Sequence, residues 1–212
     1  MRIIKFGHAC ILVEVKGLKV LVDPGAYTQV PEVAELDVIL LTHEHQDHVL
    51  LSSVTTLIAA HPQVEIITHI GLNEVLKDVS CKVTYVTHEE RVTRKGVVIQ
   101  SLGEAHVCIH PELPQVQNTG FMIDEYLYYP GDSFFVPEQK VSVLALPVAA
   151  PWLRLEEAIT YARAVGAKTV FPVHDGMLKD ECLGPTRRIP TMLLEKDGIT
   201  FVDMMPNMSR DF

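Results

Sequence analysis

At 212 residues, with 48% hydrophobic and 21% charged side chains, the chain has the make-up of a globular protein able to bury a substantial core. Its formal net charge of −9 argues against a broad polyanion-binding surface, because phosphate backbones are held chiefly by Lys and Arg. Four cysteines, Cys10, Cys81, Cys108 and Cys182, lie far apart with no Cys-x-x-Cys pair, so a disulfide framework or thiolate metal site is not expected and each reads as a small buried apolar residue.

The amino terminus, "MRIIKFGHACILVEVKG", has neither a long apolar core nor a small-residue cleavage site, so it does not read as a signal peptide. No uncharged apolar run approaches the roughly 18 to 20 residues of a membrane helix. A cytoplasmic protein without a membrane anchor is the expectation. The elements begin with strands at "MRIIKF" and "CILVEV", a turn at Lys16-Gly17, and a strand "LKVLV" stopped by "DPG". "LDVILLT" predicts a buried strand, Val49 to Ala60 a helix, "VEIIT" a strand, and Leu72 to Val79 a helix. "KVTYVT", "ERVT" and "GVVIQSL" form a strand group, followed by an irregular loop from His106 to Asn118. "GFMID" and "YLYY" are joined by a tight turn at Asp124-Glu125. Then come a strand "VSVLALP", a helix from Leu155 to Val165, a strand "KTVFPV", a last helix after Pro185, and a closing "GITFVD". β-rich meanders thus flank β-α-β units in both halves, with no linker between them, which predicts one mixed α/β domain with more than one sheet layer.

Within this frame the segment "THEHQDH" sets His43, His45, Asp47 and His48 into six consecutive positions. Metal sites need neutral imidazoles and ionised carboxylates at a common point. Helical zinc motifs space two histidines at i and i+4. The i, i+2 spacing here instead suits a loop leaving a strand, and four donors so close together suit two metals sharing the loop. Further donors follow other apolar strands: His106 and His110 in "GEAHVCIHP", Asp132 in "YYPGDSF", and His174 and Asp175 in "VFPVHDG". Loops on a rigid scaffold are where chemistry is carried.

With these segments in view the chain resembles the metallo-β-lactamase fold superfamily of metal-dependent hydrolases, and within it the branch of ascorbate-phosphate lactonase-like proteins. The resemblance rests on "GHACILVEVKGLKVLVDPG", "THEHQDH", "GEAH", "NTGFMIDEYLYYPGDS" and "FPVHDG", which together run nearly the whole length. It implies a single domain over residues 1–212, folded as a four-layer αββα sandwich of two mixed β-sheets with helices outside. It implies one metal held by His43, His45 and His106 and a second by Asp47, His48 and His174. Asp132, together with a water or hydroxide, would bridge them. Asp23 is expected behind the ligand loop. His106 is preferred over His110 as the third histidine. His110 is then a residue behind the ligands, a substrate contact or a loop-surface residue. His8 in "GHA" is a substrate contact or a turn residue.

The implied cofactors are two divalent ions, zinc first, with manganese, iron or nickel as alternatives. Two such ions generate hydroxide near neutral pH, with Asp47 or Asp132 as proton acceptor. The expected reaction is hydrolysis of an ester-like bond in a small-molecule substrate, a lactone first. The alternatives are a phosphodiesterase on a small nucleotide or single-stranded nucleic acid, and a non-catalytic metal-binding scaffold. A complete ligand set speaks against the scaffold. No basic RNA-binding arm is visible, so nucleic acid is not the expected partner, and homo-oligomerisation is left open. His61 and His88 read as surface residues, His69 as the start of a helix, Trp152 as a core or lid aromatic with a pocket wall as the alternative, and Arg154, Arg187 and Arg188 as solvated by default, with an anionic substrate group as the alternative partner.

Overall fold

A computed structural model describes residues 1–212 of the chain. The first sheet contains β1 (Arg2–Lys5), β2 (Ile11–Val15), β3 (Leu18–Val22), β4 (Val38–Leu40), β5 (Glu65–Thr68), β6 (Lys82–Tyr85) and β14 (Met208–Asp211), in the order β14-β1-β2-β3-β4-β5-β6. The second contains β7 (Arg91–Arg94), β8 (Val97–Leu102), β9 (Gly120–Ile123), β10 (Leu127–Tyr129), β11 (Val143–Pro147), β12 (Thr169–Val173) and β13 (Thr200–Phe201), in the order β13-β12-β11-β10-β9-β8-β7. Each sheet has an antiparallel half and a parallel half. β1, β2 and β3 alternate in direction, then β3 to β6 run parallel. Likewise β7 to β10 alternate, then β10 to β13 run parallel.

Turn chemistry decides the antiparallel halves. Lys16-Gly17, Lys95-Gly96 and Asp124-Glu125 all have positive φ at both residues, the backbone that a two-residue hairpin requires. The parallel halves need crossovers, supplied by α1 (Leu51–Ala60) and α2 (Asn73–Leu76) in the first sheet and by α3 (Leu155–Val165) and α4 (Leu183–Leu194) in the second. α3 is closed by Gly166 at φ 65° and opened by the Glu157 carboxylate, which accepts from the Arg154 amide at 2.7 Å.

Three apolar clusters glue the layers. The largest lies between the sheets and joins Ile11, Val13, Val20 and Leu40 to Ile99, Phe121, Tyr129 and Phe171. A second packs the outer face of the second sheet on Ala158, Ile159 and Ala162 of α3 and Leu194 of α4. A third packs Leu12, Leu21 and Ile39 on Val54, Leu57 and Ile58 of α1. This is the expected αββα sandwich.

Four readings of the elements need correction. The helix expected over Leu72 to Val79 is a 3-10 turn, Ile70–Leu72, followed only by the single turn of α2. The last helix begins at Leu183, so Pro185 lies in its first turn, where a missing N–H costs nothing. The chain does not close on "GITFVD" but on β14, which pairs with β1 at the edge of the first sheet. The strand group after α2 also divides: β6 belongs to the first sheet, β7 and β8 to the second.

Candidate metal centre

The strand directions gather the site. β1, β3, β4, β8, β10 and β12 all run the same way within their sheets, so the residues that follow them emerge at one edge. Those residues are His8, Asp23, His43 to His48, His106, Asp132 and His174. Two donor groups result, each with its ligand-capable atoms within 4.8 Å of one another: His43, His45, His106 and Asp132, and His8, Asp47, His48 and His174. Asp132 also reaches the second group, with Oδ1 3.1 Å from His48 Nε2 and Oδ2 3.1 Å from His174 Nε2.

Most of these rings are aimed by a bond at the far nitrogen. His48 donates Nδ1–H to Asp23 at 2.7 Å, His174 to the carbonyl of Ala149 at 2.6 Å, and His106 to that of Val107 at 2.5 Å. Each such bond fixes the tautomer and leaves Nε2 for the centre. Asp23 is fully buried and at φ 47°, and it also accepts from the amide and hydroxyl of Thr42 and the hydroxyl of Tyr129. His174 sits at φ 62°, an uncommon conformation for a residue with a side chain. It is held by its own amide bond to the His8 carbonyl and by the neighbouring Asp175, which is paired with buried Lys5 at 2.6 Å and with Arg187.

Two glycines in the motifs have steric reasons. A Cβ at Gly25 of "DPG" would lie 1.8 Å from the Asp47 carbonyl oxygen, so only glycine lets that loop press on the ligand loop. Gly131, at φ 63°, would place a Cβ 2.4 Å from Oδ1 of Asn118, and that same oxygen accepts from the Asp132 amide at 3.0 Å.

Electrostatics inside the centre oppose burial. Burial pushes Asp132 up, but His48 and His174 outweigh it and hold the carboxyl well below its ordinary range. Burial pushes His48 down, yet Asp132 and Asp23 carry it well above the ordinary imidazole value. His43 and His45 are lowered by burial and by neighbouring imidazoles, so they stay neutral, as a metal ligand must. His48 Nε2, His174 Nε2 and Asp132 Oδ1 are buried and make no well-formed hydrogen bond, although both ring nitrogens lie 3.1 Å from an Asp132 oxygen. Buried donors and acceptors are ordinarily satisfied, so these three atoms, converging on one point, fit a cation as their common partner.

Of the residues singled out in the sequence, His8 is the one whose place differs most from a turn. Its Nδ1 accepts from the Gly176 amide at 3.0 Å, which leaves Nε2–H to donate to Asp47 at 3.2 Å. His110 is exposed at the rim, outside both donor groups, and its Nδ1 accepts from the Glu112 amide at 3.2 Å. His69 caps the 3-10 turn by accepting from Gly71. Two readings are overturned. Arg187 is buried against Asp175, not solvated. Cys108 and Cys182 are exposed, not buried, and Cys81 is only half-buried. His61 and His88 lie at the surface, each partly covered, and His88 accepts from the Gly103 amide.

Sequence reasoning missed Trp152, whose indole N–H donates to Asp132 Oδ2 at 3.1 Å. It also missed Asn118 and Thr42, which brace the ligand loops. The signal was available for Trp152: it stands just past the C-terminal end of β11, which runs parallel to β10 and β12, the strands before Asp132 and His174.

A model of the β-lactamase superfamily domain matches residues 2–174. Protein Rv0786c of Mycobacterium tuberculosis is 32% identical over 87% of this chain and 88% of its own length. A UPF0173 metal-dependent hydrolase of Methanocorpusculum labreanum is 24% identical over 82% of this chain and 83% of its own. Among solved structures, Igni18, a metallo hydrolase from Ignicoccus hospitalis, superposes with a TM-score of 0.75 at 18% identity, covering 100% of this chain and 98% of its own. That likeness is one of fold.

Proposed function

The chain belongs to the β-lactamase superfamily and is a metal-dependent hydrolase; on that premise we propose that it holds two divalent cations, zinc first, and hydrolyses an ester-like bond in a small molecule, a lactone first. The observation that carries the reading is the pair of four-residue donor groups meeting at Asp132. His43, His45 and His106 would hold one cation, Asp47, His48 and His174 the other, with Asp132 shared between them. A cation in each group supplies Lewis acidity, which brings the deprotonation of water toward neutral pH and draws electron density from a carbonyl oxygen.

The protein's own groups do the rest. Asp132, almost wholly buried, reaches both donor groups, and its negative charge would lower the mutual repulsion of cations held there. Trp152 fixes which way that carboxylate faces. Asp47 is the more accessible of the two carboxylates, with its side chain 21% exposed, and that accessibility supports it over Asp132 as the group that would take the proton from water. In the net reaction the water oxygen bonds to the carbonyl carbon, the bond from that carbon to the ester oxygen breaks, and that oxygen takes the proton, so a lactone opens to a hydroxy acid and an open-chain ester releases an alcohol.

The test is a screen of lactones, thioesters and phosphodiesters with the protein loaded with one metal at a time. Turnover of lactones or simple esters is the expected result. Turnover of phosphodiesters alone would replace the reading with its phosphodiesterase alternative.

A further inference from the structure

Two cavities flank the donor groups, and their walls differ in kind. The larger, about 710 Å³, opens beside His8 and has Gln29, Glu32, Asp175, Asp180 and Asn207 in its wall. The smaller, about 360 Å³, has His45 and His106 as its inner wall and an apolar side of Val107, Ile109, Leu113 and Val116. Glu44, His110 and Gln115 are polar groups in the remainder. No Lys or Arg lines either one. Lys5 and Arg187, which lie behind the Asp175 part of the larger cavity's wall, are both paired with Asp175. A phosphate or carboxylate group seated in either cavity away from the donor groups would give up water without meeting a Lys or Arg in the wall, which is costly.

The smaller cavity has a second feature. Ile109 and Leu113 stand on the loop that supplies His106, and they are 44% and 55% exposed. Large apolar side chains kept in water beside a reactive centre mark a binding surface more often than chance. The cavity is also of ligand size, since such pockets run from roughly 300 to 1,000 Å³.

Building on the hydrolase reading above, we propose that the cavity walled by Ile109 and Leu113 is an acyl subsite that takes the apolar tail of an uncharged ester or lactone, whose polar oxygen-bearing side faces the larger, acid-walled cavity. A carbonyl between the donor groups then has its chain directed past His45 and His106. Each methylene buried there should raise kcat/KM about threefold to fourfold until the cavity is full.

The experiment uses the zinc-loaded protein with 4-nitrophenyl esters from acetate to octanoate, and bis(4-nitrophenyl) phosphate as the anionic control. In the wild type kcat/KM is expected to rise at least tenfold from acetate to hexanoate, with the phosphate control a poor substrate. Leu113→Glu should collapse the hexanoate-to-acetate ratio toward one, while zinc content by elemental analysis stays as in the wild type. A flat chain-length profile in a wild type that cleaves acetate would overturn the subsite and leave the hydrolase reading standing. A binding measurement separates the two further. Trp152 is the single tryptophan and its ring lies 5.7 Å from that of His106, so its emission reports on the cavity wall. Titration with 2-nonanone, which has no bond to hydrolyse, should shift emission at far lower concentration than 2-butanone. If the long ketone binds so and no ester is turned over, the subsite survives and the hydrolase reading falls. If the two ketones behave alike, the subsite is refuted.

Discussion

Asp132 illustrates how much rests on single side chains. Its carboxylate touches both donor groups, accepts from Trp152, and is held in place through its amide by Asn118. Asp132→Asn keeps the shape and removes the charge that a pair of cations needs between them. Elemental analysis should find fewer than two metals per chain in that variant, turnover should fall by orders of magnitude, and circular dichroism should be unchanged. Two metals with full activity would show that Asp132 is only a turn residue. Trp152→Phe keeps a ring against Phe134, 5.6 Å away, but deletes the indole N–H. A hydrogen bond to a charged group contributes about 1.5 to 3 kcal/mol, so a fall in kcat of roughly tenfold or more is expected. Adding zinc to the metal-free wild type should also change Trp152 emission, and unchanged emission would argue against the contact. The histidine–aspartate residues were legible in the sequence because their types and spacing are rare outside metal sites. Asn118 and Thr42 were not, because a residue that acts on another side chain carries no spacing of its own, and for Trp152 only its place after β11 points to the site.

At the scale of elements, an ion pair between the sheets makes a pH-dependent prediction. Glu65 of β5 receives Arg94 of β7 through two bonds, at 2.6 and 2.8 Å, and Lys82 of β6 at 2.8 Å. Arg94's hydrogen bonds, only partly opposed by burial, hold the Glu65 carboxyl down at about 2 against an ordinary 4.5. A carboxyl depressed on folding contributes its stability above the unfolded value and loses it as pH falls to the folded one. The pair should therefore be fully effective at neutral pH and weaken between pH 4.5 and about 2. Glu65→Gln should lower Tm at pH 7 and shrink the difference from wild type at pH 2. An equal difference at both pH values would contradict this. Strands and most helices were readable from apolar runs and turn residues. α2 was overread because its apolar pattern continues past the point where only one turn is formed. β14 was missed because "MSRD" has no strand signature, and its backbone is recruited by the free edge of β1.

For the molecule as a whole, the donor groups draw on loops from both sheets, so a bound cation ties the sheets together as well as serving chemistry. A ligand that binds only the folded state stabilises it by mass action, by about 4 kcal/mol at a thousand times its Kd. EDTA should then lower Tm by several degrees, zinc should restore it, and Asp132→Asn should respond less to either. A Tm indifferent to chelation would mean that the centre does not hold metal in the folded chain. No helix is long and apolar enough to cross a membrane. What the sequence determined by itself was local: hairpins through residues that accept positive φ, strands through apolar runs, and a ligand loop through donor density. The tertiary structure decided which strands share a direction, and therefore that loops more than a hundred residues apart in sequence emerge at one edge. It also decided that Lys5 and Arg187 are spent on Asp175 and that Ile109 and Leu113 face water beside His106. Those outcomes depend on pairing and burial between distant segments, for which no short stretch of sequence carries the energy.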